Sequence, residues 1–381
     1  MIIMKVVIVR TSNLILDFKT YNCQELGLAK ALSRRGYKMS IITPDLKASH
    51  YQEVVDGGTP VDIYTVTIHA LNRNICWHHG VIELLKEISP DLIHINSISL
   101  SMSYCYQLWA EKNKVKTVVI QGNYETTQKP ILKQLETLYN STFGRSLIKK
   151  TNGIAGKTNW ACDFIKRYYH RETMLTHIGL DTERFENAKN RDWDTELQIK
   201  DKKKLIYVGA LESRRNPLFL AEIMTKLPED YVLIIVGAGP QGEELKSYIA
   251  SMNLSKRILM LGKLSQEDLP SLYKSGDLFL LATNYEIFGM VLLESMYFGL
   301  PVVSTLSAGS DTIINNGIDG VIITELNSSV WAKTILEIVE NPDRLNAMKH
   351  SAATHIREHL VWERSVDEFL TLYEKALSDD K

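Results

Sequence analysis

Short runs of consecutive apolar residues recur along this chain, each followed by a polar loop and a stretch whose apolar positions have helical spacing. Such runs read as buried strands, and the stretches between them as helices packed on a sheet. Lys5-Val-Val-Ile-Val-Arg10 is the first strand, a helix from about Asn22 to Arg35 is closed by Gly36, and Lys38 to Thr43 is the second strand. This β-α-β opening predicts a parallel sheet. Further strands are predicted at Val61–Val66, Leu92–Asn96, Thr117–Gln121 and Gly153–Lys157, with helices at Val81–Ile88 and Ser101–Lys112.

The pattern breaks from Glu186 to Lys204, a polar stretch that reads as a linker. Beyond it the alternation resumes. Strand Leu205–Gly209 leads through Ala210 to Pro217 into a helix, and strand Tyr231–Val236 leads through Gly237-Ala-Gly239-Pro240-Gln-Gly242 into another. Leu261-Gly262-Lys263-Leu264 ends the next strand. Leu278 to Ala282 is a buried strand, followed by a loop and a helix that Gly299-Leu-Pro301 terminates. The predicted class is α/β, with two Rossmann-like parallel-sheet domains at 1–186 and 205–361, a linker at 187–204, and an amphipathic last helix within 362–381.

Composition adds bounds. A chain of 381 residues with 45% hydrophobic and 23% charged residues suits two domains of ordinary size. No apolar run approaches the roughly 20 residues that span a bilayer. The start leads straight into a strand without a secretory pattern, and Cys23, Cys76, Cys105 and Cys162 lack paired spacing. Together these point to a reducing cytoplasm, without disulfides or a zinc site. Charge is uneven: residues 1–185 carry 23 Lys and Arg against 16 Asp and Glu, and the remainder 21 against 29. A basic first half suggests an anionic partner. Lys129 to Lys150 interleaves five cations with Leu132, Leu135, Leu138 and Phe143, a pattern that suits either a solvated helix face or an anionic membrane surface.

The candidate chemistry gathers around residues 284–301. Glu286 lies in the loop before a helix and Glu294 inside it, within an apolar segment where a carboxylate needs a partner or solvent. Gly289, after Phe288, admits a ligand to the backbone, and the N–H groups of Gly289, Met290 and Val291 are first-turn donors suited to an anion. Upstream, Arg214 and Arg215 occupy a strand-to-helix loop, where Arg215 can clamp a phosphate.

Glu286 and Glu294, set between a strand and the Gly-Leu-Pro turn, resemble the E-x7-E signature of the retaining glycosyltransferases of family 4 (group 1, GT-B fold). The likeness covers nearly the whole chain and is strongest from Leu205 to Val321. It implies two Rossmann-like domains facing a cleft, with the acceptor on the first, the nucleotide sugar on the second, and the last helix crossing back to the first. It implies catalytic roles for Glu286 and Arg215. It implies donor binding by Glu294, Phe288, Gly289, Met290, Val291, Gly209, Lys263 and Leu264, with Glu294 on the ribose diol and the Lys263–Leu264 backbone on the base edge. The expected reaction moves a hexose from a nucleoside diphosphate sugar, UDP-linked, to a sugar, lipid-linked or protein hydroxyl. Its setting is cell-surface glycan or glycolipid synthesis, in the cytoplasm or peripherally on the inner membrane face. No cofactor, no metal and no nucleic acid partner are expected, since no Asp-x-Asp motif falls at a strand end.

The chain departs from that family in three places. The loop Arg10 to Thr20 has no glycine pair, Gln121 stands where many members have His, and Ala210 replaces an Arg. Gln121 to Tyr124 is still expected to face the acceptor. The losses leave room for a non-catalytic GT-B subunit that supports a partner enzyme. Gly237 to Gly242 also matches G-x-G-x-x-G, hence an NAD-dependent oxidoreductase, although Pro240 lacks an N–H and no acid follows about 20 residues on. Trp77-His78-His79 reads as a loop or helix start anchored by Trp77, and His94 as either a core histidine or a group at the cleft.

Overall fold

The computed structural model describes residues 3–16, 18, 22–70, 76–98, 101–126 and 130–378. The chain forms two compact units, Met1–Asp181 with Trp362–Lys381, and Thr182–Val361.

The first unit is a nine-stranded sheet. Its strands lie in the order Ser49–Glu53, Val61–Ala70, Lys38–Asp45, Lys5–Arg10, Leu92–Asn96, Lys116–Gln121, Gly153–Gly156, Met174–Leu175, with Cys76–His78 paired to Val61–Ala70. Val6 to Val9 are wholly buried, as expected of a central strand covered on both faces. All pairings are parallel except those of Ser49–Glu53 and Cys76–His78. These two strands depart from the sequence reading. Ser49–Glu53 is an exposed edge without apolar alternation, held by backbone pairing and by His50, which contacts Asp62 at 2.9 Å and stacks on Tyr64. In Cys76–His78 the anchor is His78, buried 3.0 Å from the Tyr106 hydroxyl, while Trp77 faces solvent. Burial pulls the His78 pKa down to about 4, so the ring is neutral.

The last helix, Trp362–Ser378, belongs to the first unit and packs on the helix Gln24–Arg34. Gly27 makes that possible: a Cβ there would collide with the buried Trp362 indole. Farther along, the Tyr373 hydroxyl meets His94 Nδ1 at 2.7 Å.

The second unit is a six-stranded parallel sheet in the order Ile258–Gly262, Tyr231–Val236, Lys203–Val208, Leu278–Leu281, Val302–Thr305, Gly320–Ile323. The stretch that reads as a linker is part of this unit. Trp193, in the one-turn helix Trp193–Glu196, is buried and donates its indole N–H to Ser271 Oγ at 2.9 Å. Arg191 lies over its ring and Lys204 pairs with Asp194. One aromatic residue supplies a docking point that the polar composition conceals. Among the described residues no helix is long and apolar enough to cross a membrane.

Gly27→Ala tests the helix contact. Alanine favours a helix by about 1 kcal/mol, but overpacking against a fully enclosed indole costs about 1–3 kcal/mol. We expect net loss of stability by urea denaturation; a gain would mean that the indole moves freely.

Candidate functional site

In the second unit, three loops at the carboxyl ends of adjacent strands meet through their backbones. Gly237, at φ +143°, lies so close to Gly209 that a Cβ would strike the Gly209 carbonyl, and Gly239 packs likewise on Leu211. Leu211 N donates to Ala238 O at 3.1 Å and Gln241 N to Leu211 O at 2.9 Å. The glycines of Gly237–Gly242 therefore let two loops of the protein interlock. The bare faces of Gly237 and Gly239 are occupied by protein backbone, which removes the structural basis for reading them as a dinucleotide cradle. On the other side Gly237 N donates to Gly262 O at 2.7 Å, tying in the strand end that leads to exposed Lys263 and half-buried Leu264.

Gly209 leaves room for Tyr207, whose hydroxyl donates to Ala210 O at 2.8 Å, and for the stem of Arg215. Burial, opposed by Arg215 and Arg214, lifts the Tyr207 pKa to about 12, so it stays a donor. Asn216, in the left-handed region at φ 46°, closes the arginine loop. Its amide donates to Ala282 O at 2.9 Å and to Asn284 Oδ1 at 3.0 Å, while Asn284 N donates to Arg214 O at 2.8 Å. These bonds sew the arginine loop to the loop that carries Glu286.

The result is a buried ion pair. Arg215 Nη2 lies 2.8 Å from Glu286 Oε2, and both side chains are nearly enclosed, 12% and 11% exposed. Nε and Nη1 of Arg215 are buried and have no hydrogen-bond partner among the described residues. Arg214 is directed differently: 41% exposed, it pairs with Glu212 at 2.8 Å, donates to Tyr285 O at 3.0 Å and stands 3.7 Å from Glu286.

The helix Met290–Tyr297 follows, entered through Gly289 at φ +91°, a conformation that favours glycine. Leu292 N is taken by Gly289 O, so the earlier first-turn N–H groups lack intrahelical acceptors. Gly309 presses on the Phe288 carbonyl, where any side chain would collide, and its N–H donates to Glu286 O at 3.2 Å. Phe288 and Met290 are buried and Val291 is half-buried. Glu294 does not open to solvent. It is buried, accepts a hydrogen bond from the Tyr273 hydroxyl at 3.0 Å, and burial raises its pKa to about 7. The structure thus brings Arg215, Glu286, Gly209 and Phe288–Gly289 together, and sets Glu294 in an apolar enclosure with Tyr273.

In the first unit, Gln121 is wholly buried and committed to the backbone. It accepts from Ile98 N and donates to Asn123 O, both at 2.8 Å. It braces two loops, and its amide is not free for a sugar as the sequence reading allowed. His94 is a core residue: Nε2 donates to Asn96 Oδ1 at 3.1 Å and Nδ1 accepts from Tyr373. Burial drops its pKa to about 3. Around it, at the ends of neighbouring strands, Asn96 donates to Glu25 at 2.7 Å, Arg10 lies 3.6 Å from Glu25, and Lys157 donates to Gln24 at 2.7 Å. Burial works against the Glu25 charge, but Arg10 and Lys157 hold its carboxyl below the usual range. Of the loop Arg10 to Thr20, residues 17, 19 and 20 lie outside the described residues.

Sequence reasoning missed the roles of Asn216, Tyr207 and Tyr273. Asn216 had a signal, an asparagine directly before the Pro217 that starts a helix. Tyr273 is 21 residues from Glu294 and had none.

Comparison with known proteins agrees with this architecture. Residues 189–355 match the family model described as "Glycosyl transferases group 1", and residues 26–184 the one described as "Glycosyltransferase Family 4". The chain is 32% identical over 221 residues to the Escherichia coli UDP-Gal:alpha-D-GlcNAc-diphosphoundecaprenol alpha-1,3-galactosyltransferase, covering 55% of this chain and 56% of that protein. It spans about half the length of the curated relatives it matches, as in that 56%. Its fold is similar to that of Anabaena HepE solved with UDP and glucose (TM-score 0.72, 15% identity, 97% and 99% of the two chains). It is similar too to sucrose-phosphate synthase from Thermosynechococcus elongatus (TM-score 0.76, 15% identity, 98% of each chain). The fold is GT-B, two Rossmann-like parallel-sheet units.

The Glu294 enclosure predicts a pH effect. Its folded pKa, about 7, lies above the ordinary carboxylate value. Below the unfolded pKa both states carry the proton. As pH rises toward 7 the unfolded chain ionises first, so stability falls, by about 3 kcal/mol across the window. Glu294→Gln, which keeps an acceptor for Tyr273, should stabilise the protein at pH 8 and leave it unchanged at pH 4 in thermal melts. Equal effects at both pH values would show that the fold does not raise the Glu294 pKa.

Proposed function

The chain belongs to the group 1, family 4 glycosyltransferases, and from that premise we propose that it moves a sugar from a nucleoside diphosphate sugar, UDP-linked, to a hydroxyl acceptor with retention of configuration. The observation that carries the reading is Arg215: a buried guanidinium with Nε and Nη1 unpartnered, beside a helix start whose N–H groups suit an anion. Orphaned buried donors are costly, and a diphosphate supplies the acceptors that Nε and Nη1 lack. Glu286, released from Arg215 as the phosphate takes over, accepts hydrogen bonds from the sugar hydroxyls. Glu294 accepts from the ribose diol.

As the glycosidic bond breaks, charge grows on the leaving diphosphate, and Arg215 with the first-turn N–H groups stabilises it there. With Gln121 committed to the backbone, the leaving phosphate takes the acceptor proton. The UDP bound in the structure of HepE and the UDP-Gal donor in the name of the E. coli relative support a uridine base. That relative's name also supports a lipid-linked sugar as acceptor and a place at the inner membrane face. The first unit takes the acceptor, by the rule that ligands bind beyond the carboxyl ends of parallel strands.

A panel of nucleoside diphosphate sugars, assayed for nucleotide release with and without acceptors, tests the proposal. No turnover of any donor, with nucleotide still bound, would favour a non-catalytic subunit. Within an active enzyme, Arg215→Ala should lower kcat by about 10²–10³-fold, far more than it disturbs folding, with some loss of melting temperature because Glu286 is left without its partner. Arg215→Lys should fall between, keeping charge without the two-edged geometry. Arg214→Ala should cost far less; a reversed order would give the diphosphate to Arg214.

A further inference from the structure

The stretch Pro130–Lys150 is helical throughout, in three joined parts: an α-helix Pro130–Tyr139, a π-turn Asn140–Gly144 and a helix Arg145–Lys150. Lys129, part of the basic stretch read from the sequence, lies outside the described residues. The far end is anchored, with Leu147 and Ile148 buried in the first-unit core. The near end turns its leucines outward. Leu132, Leu135 and Leu138 are 45%, 58% and 61% exposed, and Phe143 is 49% exposed. Their spacing puts the leucines on adjoining positions of one helical face. The stripe continues onto the helix Ser101–Asn113, where Tyr104 meets Phe143 edge-on at 5.1 Å and Leu108, one turn on, is again exposed.

Cations border this apolar strip. Lys133, Arg145, Lys149 and Lys150 are all exposed. Lys150 reaches the Glu111 carboxylate at 2.5 Å, whereas Lys133, Arg145 and Lys149 have no ion pair among the described residues.

We propose that this face docks on an anionic lipid bilayer, with Leu132, Leu135, Leu138 and Phe143 entering the headgroup boundary and the four cations meeting lipid phosphates. A helix of large apolar exposure with a basic rim lies in the plane of such an interface, and each Lys or Arg near the surface adds electrostatic attraction. A protein partner fits less well. Protein interfaces are enriched in aromatic residues, Met and Arg and depleted in Lys, while this face is mainly leucine, with Phe143, ringed mainly by lysine. The docking surface lies wholly in the first unit and does not rest on Arg215 or on the transfer reaction.

Vesicle co-sedimentation of the full chain tests it. Wild type should pellet with vesicles containing phosphatidylglycerol at low salt, and largely stay in solution at high salt or with phosphatidylcholine alone. Leu135→Glu/Leu138→Glu and Arg145→Glu/Lys149→Glu should each weaken partitioning by at least roughly tenfold. Unchanged circular dichroism and unchanged calorimetric UDP affinity of these variants would separate docking from folding and from the donor reading. Leu138→Trp adds a direct reporter, whose emission should shift to the blue with phosphatidylglycerol vesicles. The proposal is overturned if wild type does not pellet, if both double variants pellet like wild type, or if the Leu138→Trp variant pellets while its added indole emission stays unshifted. Self-association in sedimentation velocity, lost in the leucine variant and without vesicle binding, would overturn it too and assign the face to a second copy of the chain.

Discussion

A guanidinium held out of water with one of its edges engaged is the constraint around which the second unit is arranged. Left to itself, Arg215 would turn to solvent, as Arg214 does. It stays inward because Asn216, in a left-handed conformation, bonds the next loop and fixes where the arginine stem begins. Glu286 supplies the compensating charge at 2.8 Å. The interlocked glycines at 209, 237 and 239 hold the loop backbones close enough for this to happen. A site of this kind is preorganised: the donors are in position before a ligand arrives, and little reorganisation is needed when it does.

The first unit treats the same topological position differently. At its strand ends Arg10, Glu25, Asn96 and Lys157 are partnered among themselves or with Gln24, and Gln121 is turned to bracing loops. The polar groups there satisfy one another, whereas in the second unit Nε and Nη1 of the guanidinium have no partner among the described residues. The difference accords with the two kinds of ligand expected of the family, a dianionic diphosphate on one side and a neutral hydroxyl on the other.

The strands are legible because buried parallel strands are written as uninterrupted apolar runs, and Lys5–Arg10 and Leu92–Asn96 appear in the structure with the bounds read from sequence. Ser49–Glu53 is not, because an exposed edge strand owes its shape to its neighbour's hydrogen bonds rather than to its own pattern. The stretch that reads as a linker misleads for a related reason: its polar residues dominate the average, while a few buried side chains, Trp193 and Ile199, dock it. At the site, Arg215 and Glu286 can be picked out from the strand-loop-helix grammar. That Glu294 sits under Tyr273, and that Gln121 uses both ends of its amide internally, depends on side-chain directions set by packing across long sequence separations.

The first unit is closed by the chain's last helix. Trp362 seats on Gly27, and Tyr373 satisfies His94, from more than 270 residues away in sequence for the second pair. A ribosome delivers residues in order, so this unit is made almost entirely before the piece that completes it exists. During that interval the groove at Gly27 and the His94 ring lack their covers, and the whole of the second unit is synthesised meanwhile. The contacts that complete the first unit therefore join residues on either side of the whole of the second, and are among the most long-range in the fold.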